Sequence, residues 1–242
     1  MKKLLTSIAI LSSFAFASSV NWSYEGHTGP KYWGDLNKKF LMCKIGKNQS
    51  PIDINKKDLI KACLKPLKLE YNSKAKYVVN NGHTIKVSIN NGSYLYVDGK
   101  KFELKQFHFH TPSENTVEGK NYPMEAHLVH ISKNGEIAVI GVMFKVGKEN
   151  KALKKFQNSL CKTVGKEKTI KAYLNPSELL PKNRDYYRFS GSLTTPPCTE
   201  GVRWYVYKEP VEMSKEQLKI FSDIMGKNNR PTQPINARKV LQ

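Results

Sequence analysis

The sequence predicts a mainly β, α+β fold in a single domain, with antiparallel strands and helices on the outside. Short runs rich in apolar and β-branched residues recur through the middle of the chain, and Asn-Gly or Asp-Gly turns separate several of them. Only two stretches carry a sustained apolar period of the helical kind. No internal repeat, low-complexity stretch or Pro/Gly/Ser-rich linker divides the 242 residues, a length that can bury one substantial core.

Taken in order, strands are expected at Tyr77–Val79, Thr84–Ile89, Tyr94–Val97, Glu103–His110, Glu125–Ser132, Ile137–Val146 and Val202–Tyr207. Turn signals fall at Asn80-Asn81-Gly82, Asn90-Asn91-Gly92, Asp98-Gly99 and Asn134-Gly135. The last lies between two apolar runs and predicts a hairpin. A first helix is expected over Glu149–Val164, where Leu153, Phe156, Leu160 and Val164 form one stripe before Gly165. The second has Ser214 as N-cap and Gln217 at the capping-box position, followed by Leu218, Phe221, Ile224 and Met225 before Gly226.

The N-terminus has the form of an export signal. Lys2 and Lys3 precede an apolar run from Leu4 to Phe16 that ends in Ala15-Phe16-Ala17. A basic start, a short apolar stretch and an A-x-A site predict removal of residues 1–17 and a mature domain over 18–242. The run is shorter than the roughly 20 residues a membrane span needs, and no later segment is long and apolar enough to be one. Export to the periplasm follows, and Cys43, Cys63, Cys161 and Cys198 then meet an oxidising compartment. Four cysteines allow three pairings, and spacing does not choose among them.

Forty Lys and Arg against 20 Asp and Glu give a net charge of +20, or +18 without Lys2 and Lys3. Only Arg184, Arg188, Arg203, Arg230 and Arg238 are arginines, so 35 of the 40 are lysines, scattered along the chain. Nucleic-acid recognition favours clustered charge and the bidentate guanidinium. A solvated basic surface, drawn to anionic envelope material, is the better reading, and no nucleic-acid partner is expected.

The chemistry is concentrated in "QFHFH", Gln106 to His110. On a strand, residues two apart share a face, so Gln106, His108 and His110 point one way and Phe107 and Phe109 the other. The two imidazoles stand about 6.5–7 Å apart along the strand and can converge on one ion. The next candidate ligands are in "MEAHLVH", where His127 and His130 have opposite parity. His127 is the better ligand, because Glu125 and Val129 share its face and a metal-bound imidazole commonly donates its second N–H to a carboxylate or amide. Gln106 is placed to do the same for His108. His130 is expected to be an ordinary buried histidine. Three neutral imidazoles with an open fourth position suit a catalytic zinc ion.

Five stretches, "QFHFHTPSEN", "MEAHLVH", "NNGHTI", "NQSPIDI" and "GSLTTPPCTEGVRW", together resemble the α-class carbonic anhydrases, exported bacterial branch. The likeness runs from "NWSYEGHTGPKYWG" at Asn21 to "NNRPTQPINAR", which ends at Arg238. "HFHTPSE" also has the H-x-H-x3-E spacing of a cupin iron or manganese site, with Glu114 as ligand. That alternative leaves "NNGHTI" and "SLTTPP" without a role.

The resemblance implies a large twisted, mostly antiparallel central sheet with a few peripheral helices. It also implies a zinc lyase, a carbonate dehydratase, in which zinc-bound hydroxide converts carbon dioxide reversibly to bicarbonate and a proton. The implied ligands are His108, His110 and His127, and the implied catalytic residues are His83, Glu114 and Thr194. Ionised Glu114 only accepts hydrogen bonds, so Thr194 donates to it and is left oriented to accept one from the nucleophile. The substrate pocket is implied at Val129, Val139, Leu193, Val202, Trp204 and Thr195. His83 would shuttle protons, with Tyr24 and Asn81 ordering the relay waters. Relatives carry a neutral amide where this chain has Lys86, whose charge is expected to depress the pKa of His83.

Exported relatives imply a Cys43–Cys198 disulfide that anchors the "SLTTPPC" loop. Cys161 falls on the stripe of the first helix and is expected to face the core, eight residues after Leu153. Cys63 lies in the lysine-rich "DLIKACLKPLKL" and should be exposed. A homodimer bridged through Cys63 across a two-fold axis is the favoured outcome, against a Cys63–Cys161 bond or a free thiol. A zinc-free binding relative and a basic adhesion protein are the non-enzymatic alternatives. The first would lack a ligand histidine, and this chain keeps all three.

Overall fold

The structure, a computed structural model, describes residues 21–242. The expected export signal lies outside the described residues. No helix among them is long and apolar enough to cross a membrane.

The expected strands are present, and others join them. In chain order the principal ones are β1 (Lys68–Tyr71), β2 (Ala75–Asn80), β3 (Ile85–Ile89), β4 (Ser93–Val97), β5 (Lys100–His110), β6 (Met124–Ser132), β7 (Ile137–Val146), β8 (Tyr186–Ser192), β9 (Glu200–Tyr207) and β10 (Val211–Met213). All belong to one 13-stranded sheet whose spine runs β2-β3-β5-β6-β7-β9-β8. The pairs β2/β3, β3/β5, β5/β6, β6/β7 and β8/β9 are antiparallel. The hairpin between β6 and β7 turns at Asn134-Gly135, where Gly135 has φ 79°. The sheet is mixed, however: β9 and β10 both run parallel to β7. Parallel neighbours need a long crossover, and the chain from Val146 to Glu200 supplies it.

Two apolar clusters cover the sheet. The larger takes Phe107, Phe109, Ala126, Leu128, Ile140 and Val142 from β5, β6 and β7. It packs them against Leu153 and Phe156 of α1 (Lys151–Gln157) and Phe221 of α2 (Lys215–Met225). The smaller cluster, on the other side, contains Ile52, Ile54, Val139, Met143, Trp204 and Val206. The strand alternation expected around "QFHFH" is therefore realised, with phenylalanines in the large core and histidines turned away from it.

α2 starts as expected, with the reciprocal Ser214–Gln217 capping box. α1 is shorter than expected. It is capped by the Asn150 side chain, which accepts from Ala152 and Leu153 N–H, and it ends at Gln157. Asn158 and Ser159 compete for backbone groups and disfavour continuation. The chain is then drawn away by Asn80 at the end of β2, whose Nδ2 donates to Lys162 O while Gly165 N–H donates to Asn80 O. Cys161 consequently lies off the helix, half-buried and free, and not in the core. Cys63 is exposed and free, so the internal Cys63–Cys161 bond is not formed, whereas Cys43 and Cys198 are joined with Cα atoms 5.0 Å apart.

Candidate active site

Register alone brings the three histidines together. His108 of β5 lies opposite His127 of β6, and His110 opposite Glu125. Directly opposed residues share a face with Cβ atoms about 4.5–5.5 Å apart. The ring centroids are 5.1 Å apart for His108 and His110, 5.3 Å for His108 and His127, and 4.6 Å for His110 and His127. One nitrogen from each lies within 4.8 Å of the other two.

Two of the imidazoles have the second nitrogen hydrogen-bonded, and the third has it beside a carboxylate. His108 Nδ1 donates to Gln106 Oε1 at 2.9 Å, and His110 Nδ1 to the Asn228 carbonyl at 2.8 Å. His127 Nε2 faces Glu125 Oε1 at 3.0 Å. The two acceptors fix the tautomers of His108 and His110, leaving lone pairs on the Nε2 of each, and the carboxylate beside His127 Nε2 favours a lone pair on Nδ1. His110 Nε2 is buried without a hydrogen-bond partner, the condition a bound cation relieves. Burial holds His108 and His127 well below the ordinary imidazole range and His110 at about 4. All three are thus neutral at pH 7, the metal-binding form. Nitrogen donors in this number, with His110 and His127 buried and His108 partly exposed, fit a zinc ion with an open side toward solvent.

Glu125 is held from several directions. Its Oε2 accepts from Glu114 and Asn115 N–H, both at 2.9 Å, and its Oε1 from Asn115 Nδ2 at 2.8 Å. Space for it comes from Gly141, opposite His127 on β7, where an added Cβ would sit 2.9 Å from Glu125 Oε1. Glu114 is also fully buried. Its Oε1 accepts from Arg230 N–H at 2.8 Å, while Oε2 lies 3.4 Å from His110 Nε2 and 3.9 Å from His127 Nδ1. Burial pushes Glu114 up to about 8 and Glu125 up to about 7, against the hydrogen bonds from Arg230 and Thr194 to the first and from Asn115 to the second. A dication among the histidines would favour the ionised form of both carboxyls.

The residues expected around the histidines fall into an apolar group and a polar group. Val129, Leu193, Val139, Val202 and Trp204 all belong to the smaller cluster. Trp204 stands edge-on to His127 with centroids 4.8 Å apart, and its Nε1 donates to Ser192 O at 3.0 Å. On the polar side, half-buried His83 stacks on Trp22 with centroids 3.7 Å apart and planes 7° from parallel. The Tyr24 hydroxyl is buried without a partner, and burial followed by the charge of Glu114 holds its pKa well above the ordinary value. Asn81 Oδ1 is occupied in the turn, accepting from His83 N–H at 3.0 Å and Thr84 N–H at 2.8 Å. That leaves only its Nδ2 for relay water. Thr194 is buried and Thr195 half-buried, in the loop between β8 and β9 that Cys198 anchors.

The expected effect of Lys86 on His83 is not what the structure has. Burial lowers the His83 pKa, whereas the charge of Lys86 bears on His108, its partner in register across β3 and β5.

Sequence reasoning assigned no role to Asn228, Arg230, Asn115 or Trp22. Arg230 is the largest omission. Besides its N–H bond to Glu114, its Nη1 donates to Gln49 Oε1 at 2.9 Å and Ser50 O at 2.8 Å, and its Nη2 to Cys43 O at 3.1 Å. Gln49 Nε2 in turn donates to Cys198 O at 3.0 Å. A continuous frame therefore links the disulfide to Glu114. A lone arginine in "NNRPTQPINAR" carries no local pattern that marks this. The only signal was the invariant chemistry of a buried cation, which must find acceptors.

A twisted sheet bearing three convergent neutral imidazoles defines a class of site that could hold a metal ion. Residues 28–242 match the family model described as eukaryotic-type carbonic anhydrase. The chain is 43% identical over 240 residues to a carbonic anhydrase of Pectobacterium carotovorum, covering 97% of this chain and 98% of that one. It is 43% identical to one of Neisseria gonorrhoeae, over 98% and 96% of the two chains. Among solved structures, the α-carbonic anhydrase of Thermovibrio ammonificans in complex with the inhibitor sulfanilamide superposes with a TM-score of 0.91 at 62% identity, covering 93% of this chain and all of that one. The chain belongs to the α-carbonic anhydrases, and it is an enzyme of that class.

Proposed function

We propose that this carbonic anhydrase is an exported zinc enzyme that hydrates carbon dioxide reversibly to bicarbonate, with His83 passing the proton to buffer. The observation that carries the reading is the set of three imidazoles that bring one nitrogen each within 4.8 Å of one another, with the other nitrogens of His108 and His110 hydrogen-bonded and that of His127 3.0 Å from Glu125. His108 Nε2, His110 Nε2 and His127 Nδ1 would hold the zinc. When bound, zinc supplies a water acidified to a pKa of about 7, a value for which carbonic anhydrases are themselves the reference case.

The remaining roles belong to side chains. Glu114, ionised and acceptor-only, accepts the hydrogen bond of the Thr194 hydroxyl and so leaves the Thr194 oxygen oriented as an acceptor that aligns the attacking oxygen. Val129, Val139, Leu193, Val202 and Trp204 give carbon dioxide an apolar seat and keep competing water out. Partly buried His83 accepts a proton delivered along waters near Tyr24, Asn81 and Thr195. Its stack on Trp22 favours the neutral ring, which is ready to accept.

Metal analysis of the purified protein, with carbon dioxide hydration assayed before and after a chelator and after zinc is restored, tests the reading. One zinc per chain and activity that returns with zinc are expected. Activity indifferent to the chelator would sink it.

Cleavage after Ala17 and a periplasmic home are supported by the Cys43–Cys198 disulfide, which persists in oxidising compartments. A homodimer bridged through Cys63 remains our proposal, for which the exposure of Cys63 is a requirement. On a non-reducing gel, wild type should run as a dimer and Cys63→Ser as a monomer; a monomer in both lanes removes the bridge.

A further inference from the structure

We propose that Lys86 is an anion-binding residue of this active site, and that it holds bicarbonate, and the small anions that compete with it, against the side of the site that opens to solvent. The proposal rests on the enzyme reading above and adds a residue that reading does not use.

The placement comes from register. On β3 and β5, Lys86 is opposite His108 and Ser88 is opposite Gln106. Opposed residues share a face, so Lys86 stands on the same face as the three imidazoles. His108 is the ligand on the exposed side of the set, and Lys86 is half-buried beside it. Its neighbours in this register, Ser88 and Gln106, are uncharged. The two carboxylates of the site are already engaged with other donors, Glu114 with Arg230 N–H and Glu125 with Asn115. Among the described residues every ion pair uses a different cation, so Lys86 has no carboxylate partner.

An unpaired ammonium on the wall of a reaction site discriminates between reactants by charge. Carbon dioxide is neutral and feels little of it, whereas bicarbonate is an anion. A unit charge several ångström away, at the dielectric of a partly wet protein site, changes anion affinity by roughly tenfold. Lys86 thus strengthens binding of the anionic reactant, with little change for the neutral one, and makes the site correspondingly open to anion inhibition.

The test uses cobalt(II) in place of zinc, because its visible spectrum reports anion binding without reference to turnover. Thiocyanate and bicarbonate are titrated into wild type, Lys86→Gln and Lys86→Arg at low and at high ionic strength. Both dissociation constants should rise roughly tenfold in Lys86→Gln at low ionic strength, stay within about twofold of wild type in Lys86→Arg, and differ less between variants when salt screens the charge. The KM for carbon dioxide should be unchanged in all three. Lys86→Met replaces Lys86→Gln if the latter does not fold. Anion affinity in Lys86→Gln within twofold of wild type, or Lys86→Arg as weak as Lys86→Gln, overturns the assignment. If wild type takes up no cobalt, the enzyme reading and this proposal fall together; if it does, equal affinities remove Lys86 alone.

Discussion

His127 and His130 lie three residues apart on β6, and the two faces of the sheet give them different company. Both are buried, with 1% and 0% of their surface exposed, and burial lowers the pKa of each. By exposure and charge state they are nearly indistinguishable. They differ in how many nitrogens are occupied. His130 faces the large core, where Nδ1 donates to Ala138 O at 3.2 Å and Nε2 accepts from the Tyr71 hydroxyl at 2.6 Å. His127 faces the other way, with Nε2 3.0 Å from Glu125 Oε1 but in no hydrogen bond, and one nitrogen within 4.8 Å of those of His108 and His110. A buried histidine is available as a ligand when its surroundings leave a nitrogen open. When they satisfy both, it is a polar core residue.

The largest expected effect breaks this contrast directly. His127→Ala should lose zinc and activity together, by more than the roughly 10–100-fold that removing an outer-shell partner takes from metal affinity. His130→Gln keeps both a donor and an acceptor and should retain one zinc per chain. Metal content of the two variants measured side by side decides the matter. An intact stoichiometry in His127→Ala, or a zinc loss specific to His130→Gln, would reverse the assignment.

His83 sharpens the same contrast, since it is half-buried and stacked on Trp22, away from the three convergent imidazoles. His83→Ala should slow turnover at low buffer by roughly tenfold or more, leave the interconversion of carbon dioxide and bicarbonate nearly intact, and recover with added imidazole. Trp22→Ala removes the ring that covers His83, so the His83 pKa, read by NMR, should rise toward about 6.5. Unchanged turnover at low buffer in His83→Ala would move the shuttle to another group.

The strand carrying His108 and His110 was legible because its alternation is local and one face had to be apolar. The same holds for the Asn134-Gly135 hairpin and the Ser214 cap. What was not legible depends on distant chain. The Asn228 carbonyl that fixes His110 comes from 118 positions away in the chain, and any residue can supply a carbonyl. The α1 boundary was overrun because Leu160 and Val164 continue the apolar spacing, while the bonds that pull the chain off the helix come from Asn80. Strand β5 also carries an irregularity that alternation misses. After Val129↔Gln106 the register passes to His130↔Leu104, leaving Lys105 unpaired. That bulge re-aims Leu104, which by simple parity shares the histidine face, into the large core.

The smallest effect concerns the pH dependence of stability, and it isolates His130. Its pKa is lowered to about 4 in the folded protein, chiefly by burial, against about 6.5 when unfolded. A folded state that disfavours the proton has its full stability above the unfolded pKa and loses it as pH falls from about 6.5 toward 4. The whole window corresponds to roughly 3 kcal/mol, of which about 2 kcal/mol is lost between pH 7.5 and 5. His130→Gln has no titrating group at this position and lacks that loss. Urea midpoints of wild type and variant, measured at both pH values, should therefore converge on acidification by an amount equivalent to about 2 kcal/mol. The other buried histidines titrate equally in both proteins and cancel in the difference. Parallel curves across that range would mean that His130 carries its proton in the folded core, with Tyr71 or Ala138 bonded differently from the geometry described above.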